Sequence, residues 1–489
     1  MSTVSSNEDH NKQKTFKRQQ YDEKTVRQAM NLNKPIRVKG NDSYTNSETY
    51  LRKMDELRIH KQHIFRFRIA HTKYILLFFF LFLLQLIGII FFSKGFLLTR
   101  QVLDDISSVE SQIKLDSQLT TPYKFDKAVI LIIDALRFDF VIPQLNSNEQ
   151  YHNKLTILDS IDHKFLYKFI SDPPTTTLQR LKGLTTGSLP TFIDAGSNFN
   201  GELIEEDNLI KQLALNNKTI KFAGDDTWKS LFNPYLHDES EYFESLNVFD
   251  LDTVDNGVIN YFNKELHNDK KNDWDVLIGH MLGVDHVGHK HGPNHEEMSR
   301  KLTQMDDFIT DSLLPSIDED TVLFIFGDHG MDHTGNHGGD SKDELETTLF
   351  VYSPQFENQN KIDSNNDKIV FEDGYQVVNQ IDFIPTFAML TDIPIPFNNL
   401  GWPISNLTNE LGYKETLEQI HRYNNVSNNI DSTNFKILDN LYKENKGLDY
   451  QQMFLSICQK QWAEFDMRFI VLGLILLILS LVLFIIITK

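Results

Sequence analysis

The stretch Val276 to Pro293, VLIGHMLGVDHVGHKHGP, runs from apolar residues into one aspartate and a series of histidines broken by glycine. Asp285 and His289 lie four apart, with Gly288 between them, which predicts a turning loop at the end of a buried strand. A carboxylate and an imidazole in that setting suit a divalent cation such as zinc. A surface histidine cluster without metal is the alternative. Asp134 ends the apolar run AVILIID, and Asp328 and His329 end TVLFIFGD. His337 follows in the glycine-rich turn GMDHTGNHGGD. Taken singly, Asp134 would be a helix cap or ion-pair partner, His337 a surface loop residue, and Asp328 with His329 a core pair. Together they offer six ligands, enough for two metals.

A nucleophile is the missing part. In DPPTTTLQRLKGLTTGSLP, Pro173 and Pro174 fix the entry to a helix whose first turn would hold Thr175, Thr176 and Thr177. Threonine there can be merely a cap. A helix N-terminus also favours an alkoxide or phosphate through its free N–H groups and dipole. A neighbouring metal would activate the hydroxyl, and two metals about 4 Å apart can hold the attacking and leaving oxygens of an in-line phosphoryl transfer. The residues thus point to a two-metal enzyme that forms a phospho-threonine.

These residues need a scaffold that brings strand ends together. The apolar runs 128–134, 219–226, 275–282 and 321–328 predict strands buried on both faces, and His295 to Leu314 predicts a helix between two of them. Such an α/β layered domain, with a central mostly parallel sheet, binds ligands beyond the carboxyl ends of its strands. Residues 405–450 are rich in asparagine and weakly patterned, which predicts loop and helix.

Composition narrows the setting. A net charge of −20 argues against a nucleic-acid partner. One cysteine, Cys458, excludes an intrachain disulfide and a cysteine-based zinc site. Residues 1–73 carry 16 Lys+Arg against 8 Asp+Glu and read as a cytosolic, largely disordered basic tail. Tyr74 to Phe92 is uncharged and long enough to cross a bilayer as an uncleaved anchor, here bounded as 74–98. Its basic N-terminal flank predicts a cytosolic N-terminus and places residues 99–465 on the lumenal or outer side. The acceptor triplets at Asn217, Asn406 and Asn425 fit a lumenal glycoprotein. A second span, Phe469 to Thr488, lies in the terminal segment 466–489.

The segments LIIDALRFDF (131–140), DPPTTTLQRLKGLTTGSLPTFIDAGSNF (172–199), GDDTWKSLF (224–232), DLDTVDNG (250–257), HMLGVDHVGHKHGP (280–293) and FGDHGMDHTGNHGGD (326–340) resemble the alkaline phosphatase superfamily. Within it they are similar to the GPI ethanolamine phosphate transferases. The resemblance implies an alkaline-phosphatase-like catalytic domain over residues 99–465. It implies one zinc on Asp285, His289 and His337, and a second on Asp134, Asp328, His329 and the nucleophile. The Pro-Thr-x-Thr pattern of related phosphodiesterases places that nucleophile on Thr177, with Thr175 and Thr176 as alternatives.

The resemblance further implies phosphatidylethanolamine as donor and a mannose, the third, of the GPI precursor lipid as acceptor, at the endoplasmic reticulum membrane. Asp225 or Asp226, with Trp228, would read the ethanolamine ammonium; a plain turn after a strand is the alternative. Family members carry a long multispan region after this domain, expected to bind lipid and a small membrane partner subunit. This sequence ends after one span, which implies either a truncated product or a fragment. Two other readings compete: a phosphodiesterase or nucleotide pyrophosphatase of the same superfamily, and a catalytically silent membrane subunit.

Overall fold

The computed structural model describes residues 36–37, 44–45, 47–97, 102–109, 122–189, 203–267, 273–357, 370–427, 430–463 and 465–488. The chain divides into two compact units, Met1–Lys94 with Met467–Lys489, and Gly95–Asp466.

In the first unit, the part of the basic tail before Ser47 lies outside the described residues except for the paired dipeptides Ile36–Arg37 and Tyr44–Thr45. From Ser47 the chain is a single 50-residue helix to Phe96. The basic residues from Arg52 to Lys73, placed by composition in a largely disordered tail, are therefore helical. Lys, Arg, Leu, Met and Glu are good helix formers, and no proline interrupts them. This helix and Met467–Thr488 are both long and apolar enough to cross a membrane. Small residues let the two approach closely. A side chain added at Gly473 would come within 2.4 Å of the Phe92 backbone nitrogen, and the Ser480 hydroxyl donates to Leu81 O at 3.4 Å.

The second unit is built on nine strands: β1 (Lys127–Ile133), β2 (Lys164–Ile170), β3 (Ile220–Asp225), β4 (Glu241–Phe243), β5 (Val276–Met281), β6 (Thr321–Phe326), β7 (Glu346–Tyr352), β8 (Phe371–Glu372) and β9 (Tyr375–Asn379). Their order across the sheet is β8-β9-β2-β7-β6-β1-β5-β3-β4. β1 runs parallel to both β5 and β6, while β7 is antiparallel to its neighbours. The four strands expected from the apolar runs are all present.

Their apolar character has a direct cause. Ala128, Ile130 and Ile132 of β1 join one core, and Val129, Leu131 and Ile133 join another on the opposite face. β6 alternates in the same way, with Val322, Phe324 and Phe326 on one side and Leu323 and Ile325 on the other. Successive side chains point to opposite faces, so a strand covered on both must be apolar throughout. Each buried Val, Leu, Ile or Phe side chain among them contributes about 1.5–3 kcal/mol.

The helices used below are α1 (Thr177–Thr186), α2 (Thr227–Phe232), α3 (Thr253–His267), α4 (Gly283–His291), α5 (Glu296–Phe308), α6 (Glu410–Ser427), α7 (Ser432–Lys443) and α8 (Gly447–Ala463). α5 continues through Ile309–Leu313, matching the helix expected over 295–314. Residues 405–450, weakly patterned in sequence, are mostly ordered helix. α6, α7 and α8 enclose their own core of Leu417, Ile420, Tyr423, Leu438, Tyr450, Phe454 and Cys458. Their asparagines obscured the pattern by capping and bridging: Asn424, for instance, donates to the buried Tyr450 hydroxyl at 2.8 Å. Of the glycosylation acceptors, Asn217 and Asn425 are exposed, whereas the Asn406 amide donates to Gln376.

Leu438 is fully buried in this helical layer. We expect Leu438→Ala to lower unfolding stability by about 2–5 kcal/mol in denaturant titration. A change near zero would mean that α7 is not packed.

Candidate metal centre and nucleophile

β1 lies between β5 and β6 and runs parallel to both. Their carboxyl ends therefore share one edge of the sheet, where ligands of such sheets bind. Asp134 follows β1, and its N–H extends the ladder to Met281 O at 2.9 Å. The chain then turns sharply, with Ala135 in the left-handed region at φ 60°. That turn aims the Ala135 N–H at Asp328 Oδ1, 3.2 Å away. The ends of two strands are thus tied together before any ligand is considered.

Asp285 and His289 sit on α4, not on a loop as the glycine between them predicted. One helical turn places both on the same face, with His289 Nε2 3.4 Å from Asp285 Oδ2. Gly288 serves a different purpose. A side chain there would come within 2.6 Å of Met331 Sδ, and one at Gly335 would come within 1.9 Å of Gly288 O. The two glycines let the loop carrying His337 lie directly against α4. His337 Nε2 is consequently 3.0 Å from His289 Nε2 and 3.4 Å from Asp285 Oδ1.

His329 joins the second group, with Nε2 3.3 Å from Asp134 Oδ1 and 3.5 Å from Asp328 Oδ2. The three threonines separate clearly. Thr175 is fully buried, donates to Gly339 O at 2.9 Å and accepts from Gly338 N at 2.9 Å. Thr176 stands at the N-cap position of α1, where its hydroxyl meets the Gln179 side chain and not a backbone N–H. Thr177, the first residue of α1, has its hydroxyl 3.2 Å from His329 Nε2 and 3.4 Å from Asp134 Oδ2.

The donor chemistry fits a pair of cations. Asp134 Oδ1, Asp285 Oδ1 and Asp328 Oδ2 are buried without a hydrogen-bond partner among the described residues. Burial, reinforced by the neighbouring carboxylates, pushes the Asp134 pKa well above its ordinary value. Burial also raises Asp328 and, with His337 beside it, holds His329 well below the usual histidine range. A bound cation would relieve this repulsion. The His329 and His337 rings are already oriented for one. Each donates Nδ1–H to a backbone carbonyl, Gly330 O at 2.9 Å and Thr175 O at 2.8 Å, leaving the Nε2 lone pair facing inward. Ligands about 2.0–2.1 Å from a tetrahedral centre stand about 3.3 Å apart, the spacing of these donor atoms.

The supporting residues include several that the spacing of motifs did not single out. Asp255, on α3, accepts from the Leu282 and Gly283 N–H groups at 3.0 Å and so holds the start of α4. Its other oxygen binds the buried Lys301 ammonium at 2.9 Å. Glu344 accepts from Gly339 N at 2.7 Å and fixes the His337 loop. His280, inside β5, stands 3.6 Å from Asp134. A polar ring within the apolar run VLIGHM was the available signal.

The expected ammonium reader is not assembled as a site. Trp228 is buried, its ring stacked on Phe222 at 4.8 Å and its N–H donated to His280, so no indole face is open to a cation. Asp225 is buried beside them and accepts from Thr227 N. Asp226 is exposed and held by the Ser245 hydroxyl at 2.7 Å. These three residues therefore do not form an aromatic and carboxylate cradle.

This is the arrangement of an α/β layered domain whose central sheet is mostly parallel. The profile of the family described as type I phosphodiesterase / nucleotide pyrophosphatase matches residues 138–354. Over most of its length the chain resembles GPI ethanolamine phosphate transferase 3. It is 52% identical over 456 residues to that protein of Eremothecium gossypii, covering 89% of this chain and 44% of the relative. The Saccharomyces cerevisiae protein is 51% identical over 465 residues, with 89% and 45% covered. The human catalytic subunit is 39% identical over 413 residues, with 76% and 36% covered. The chain thus spans less than half the length of these relatives.

The clamp on α4 can be tested without substrate. We expect Asp255→Ala, which leaves two N–H groups unpaired and removes one carboxylate from buried Lys301, to lower stability by about 3–5 kcal/mol in denaturant unfolding. A loss under 1 kcal/mol would show that α4 does not depend on the clamp. We also expect Gly335→Ala to reduce metal retention, measured by elemental analysis after dialysis, because a β-carbon there forces the His337 loop off α4. Unchanged retention would contradict that packing role.

Proposed function

We propose that this chain transfers phosphoethanolamine from phosphatidylethanolamine to a mannose, the third, of the GPI precursor through a phospho-threonine on Thr177. The observation that carries the reading is the Thr177 hydroxyl at the first position of α1, facing both Asp134 and His329. The relatives named GPI ethanolamine phosphate transferase 3 support the substrates.

Two zinc ions would occupy the centre. Asp285, His289 and His337 would hold one, and Asp134, Asp328, His329 and Thr177 the other. When bound, they supply positive charge that favours the alkoxide and the oxygens of a transferring phosphoryl group.

The chain's own residues do the rest. The fixed rings of His329 and His337 keep their lone pairs directed inward. The α1 N-terminus offers N–H groups and a favourable dipole to a phosphoryl group on Thr177. In the first half-reaction the Thr177 hydroxyl gives up its proton and its oxygen attacks phosphorus, the bond to diacylglycerol breaks, and the diacylglycerol oxygen takes up a proton in balance. In the second, a mannose hydroxyl gives up its proton, its oxygen attacks the same phosphorus, the bond to Thr177 breaks, and the Thr177 oxygen takes up a proton again.

The two apolar helices suit lipid substrates at both steps. The proposed organisation is a cytosolic basic segment over 1–73, an anchor over 74–98, a lumenal catalytic domain over 99–465 and a second span over 466–489. The proposed location is the endoplasmic reticulum membrane, with a small multispan partner subunit.

The test is peptide mass spectrometry of the full chain in detergent after incubation with phosphatidylethanolamine and zinc. We expect a phosphoethanolamine adduct on Thr177 that disappears in Thr177→Ala, in Asp134→Ala and after chelation, and that a mannosylated GPI precursor discharges. An adduct on Thr176 or Thr175 would move the nucleophile. Rapid release of free phosphoethanolamine to water would favour the phosphodiesterase reading, to which the matching family profile also points. No adduct in the zinc-loaded chain would favour a catalytically silent subunit.

A further inference from the structure

Four histidines meet the acidic cluster, and His280 is built in the opposite sense to His329 and His337. His329 and His337 donate Nδ1–H to carbonyl oxygens and so offer Nε2 as a lone pair. His280 instead receives the Trp228 indole N–H on Nδ1 at 3.0 Å. An indole nitrogen can only donate, so that His280 nitrogen must accept. The proton of a neutral ring then lies on Nε2. This atom is buried, has no hydrogen-bond partner among the described residues, and stands 3.6 Å from Asp134 Oδ2. By distance alone, Asp134, His280 and Asp328 could hold a metal ion. A nitrogen that carries a proton cannot be a ligand.

We propose that His280 is a positioning residue and not a metal ligand: Trp228 fixes its proton on Nε2, and that N–H restrains Asp134 Oδ2 so that Oδ1 faces the cation. The proposal rests on the reading of Asp134 as a zinc ligand. It accounts for features that the ammonium-reading role left unexplained. The Trp228 ring is locked between Phe222, at 4.8 Å, and Phe232, at 5.0 Å, and this fixes the direction of its N–H. His280 lies on β5 directly opposite Ile132 of β1, two residues before Asp134. The relay therefore joins two rigid neighbouring strands through a stacked indole. Asp134 Oδ2 also faces the Thr177 hydroxyl at 3.4 Å, so turning this carboxylate would disturb metal and nucleophile together.

The experiment uses the full chain in detergent and two readouts. The first is zinc affinity, measured by competition with a chromogenic chelator. His280→Gln keeps an acceptor for Trp228 and a donor for Asp134 but is a poor zinc ligand. We expect it to retain two zinc ions with affinity within about threefold of the parent. We expect His280→Ala to bind zinc about 10–100-fold more weakly, as loss of a ligand-orienting group does. Trp228→Phe should fall between them, because it frees the tautomer. If His280→Gln lost zinc as His280→Ala does, His280 would be a ligand and the proposal overturned, while the two-zinc reading stood. Circular dichroism of each variant separates loss of affinity from loss of fold, and Gln and Phe provide the comparison should the Ala variant fail to fold.

The second readout needs no bound metal. In chain labelled with 15N-histidine, the signals absent from His280→Gln belong to His280. We expect a protonated Nε2 and an unprotonated Nδ1 both before and after zinc is added. An Nε2 that loses its proton on zinc addition, or a proton on Nδ1, would overturn the proposal. If the parent chain bound no zinc, the two-zinc reading would fall, and the tautomer would still decide whether Trp228 orients His280.

Discussion

Three carboxylates, Asp134, Asp285 and Asp328, converge on one side of the sheet, and all are largely buried. Charge of one sign gathered away from water is the constraint on which the rest of this domain depends. Burial raises Asp134 and Asp328 from their ordinary values, and at Asp134 the neighbouring carboxylates add to the rise. An arrangement of this kind persists only where the backbone holds it and where an opposing charge can enter. The elements around it meet the first requirement. The Ala135 turn binds Asp328, Asp255 fixes the start of α4, and Glu344 fixes the loop that carries His337. The inward lone pairs of His329 and His337 meet the second.

The position of this cluster follows from the sheet. β1 is central, and its neighbours β5 and β6 are far apart in sequence, so residues near 134, 285 and 328 reach one edge only through parallel pairing. A buried parallel strand can end in a charged residue because the apolar run stops where the sheet does. Rigidity then comes from packing on both faces. Close approach completes the centre: Gly288 and Gly335 remove the side chains that would separate α4 from the His337 loop. Strand ends set the approximate positions and backbone contacts refine them.

Thr177 illustrates how a common residue acquires a specific role. Its two predecessors have similar chemistry but different surroundings. The Thr175 hydroxyl is consumed by the backbone of the His337 loop, and Thr176 turns to Gln179. The helix start leaves Thr177 facing the donor cluster. The same contrast separates His280 from His329 and His337. Each ring is a histidine near a carboxylate, and the partner on the far nitrogen decides what the near nitrogen can do. The helical layer of α6, α7 and α8 stands apart from this centre, with a core of its own.

Much of this was legible in the chain itself. Runs such as AVILIID and TVLFIFGD are apolar at every position, and only a strand covered on both faces requires that. Acidic residues and histidine at their ends indicated a ligand edge, and Tyr74 to Phe92 announced an apolar helix by its length. These signals are local, carried by neighbours along the chain. What the tertiary structure decided is non-local. Gly288 was read as a turn because its purpose, contact with Gly335, is 47 residues away. Trp228 suggested a cation site until Phe222 and His280 were seen to enclose it. The helices between 410 and 463 were obscured in part because a polar residue such as Asn424 pairs with a distant partner, Tyr450. The choice among three threonines, the tautomers of three histidines and the clamp of Asp255 on α4 all depend on groups that meet only when the sheet assembles. A sequence states which residues are available, whereas the direction of a hydrogen bond depends on what folding places opposite.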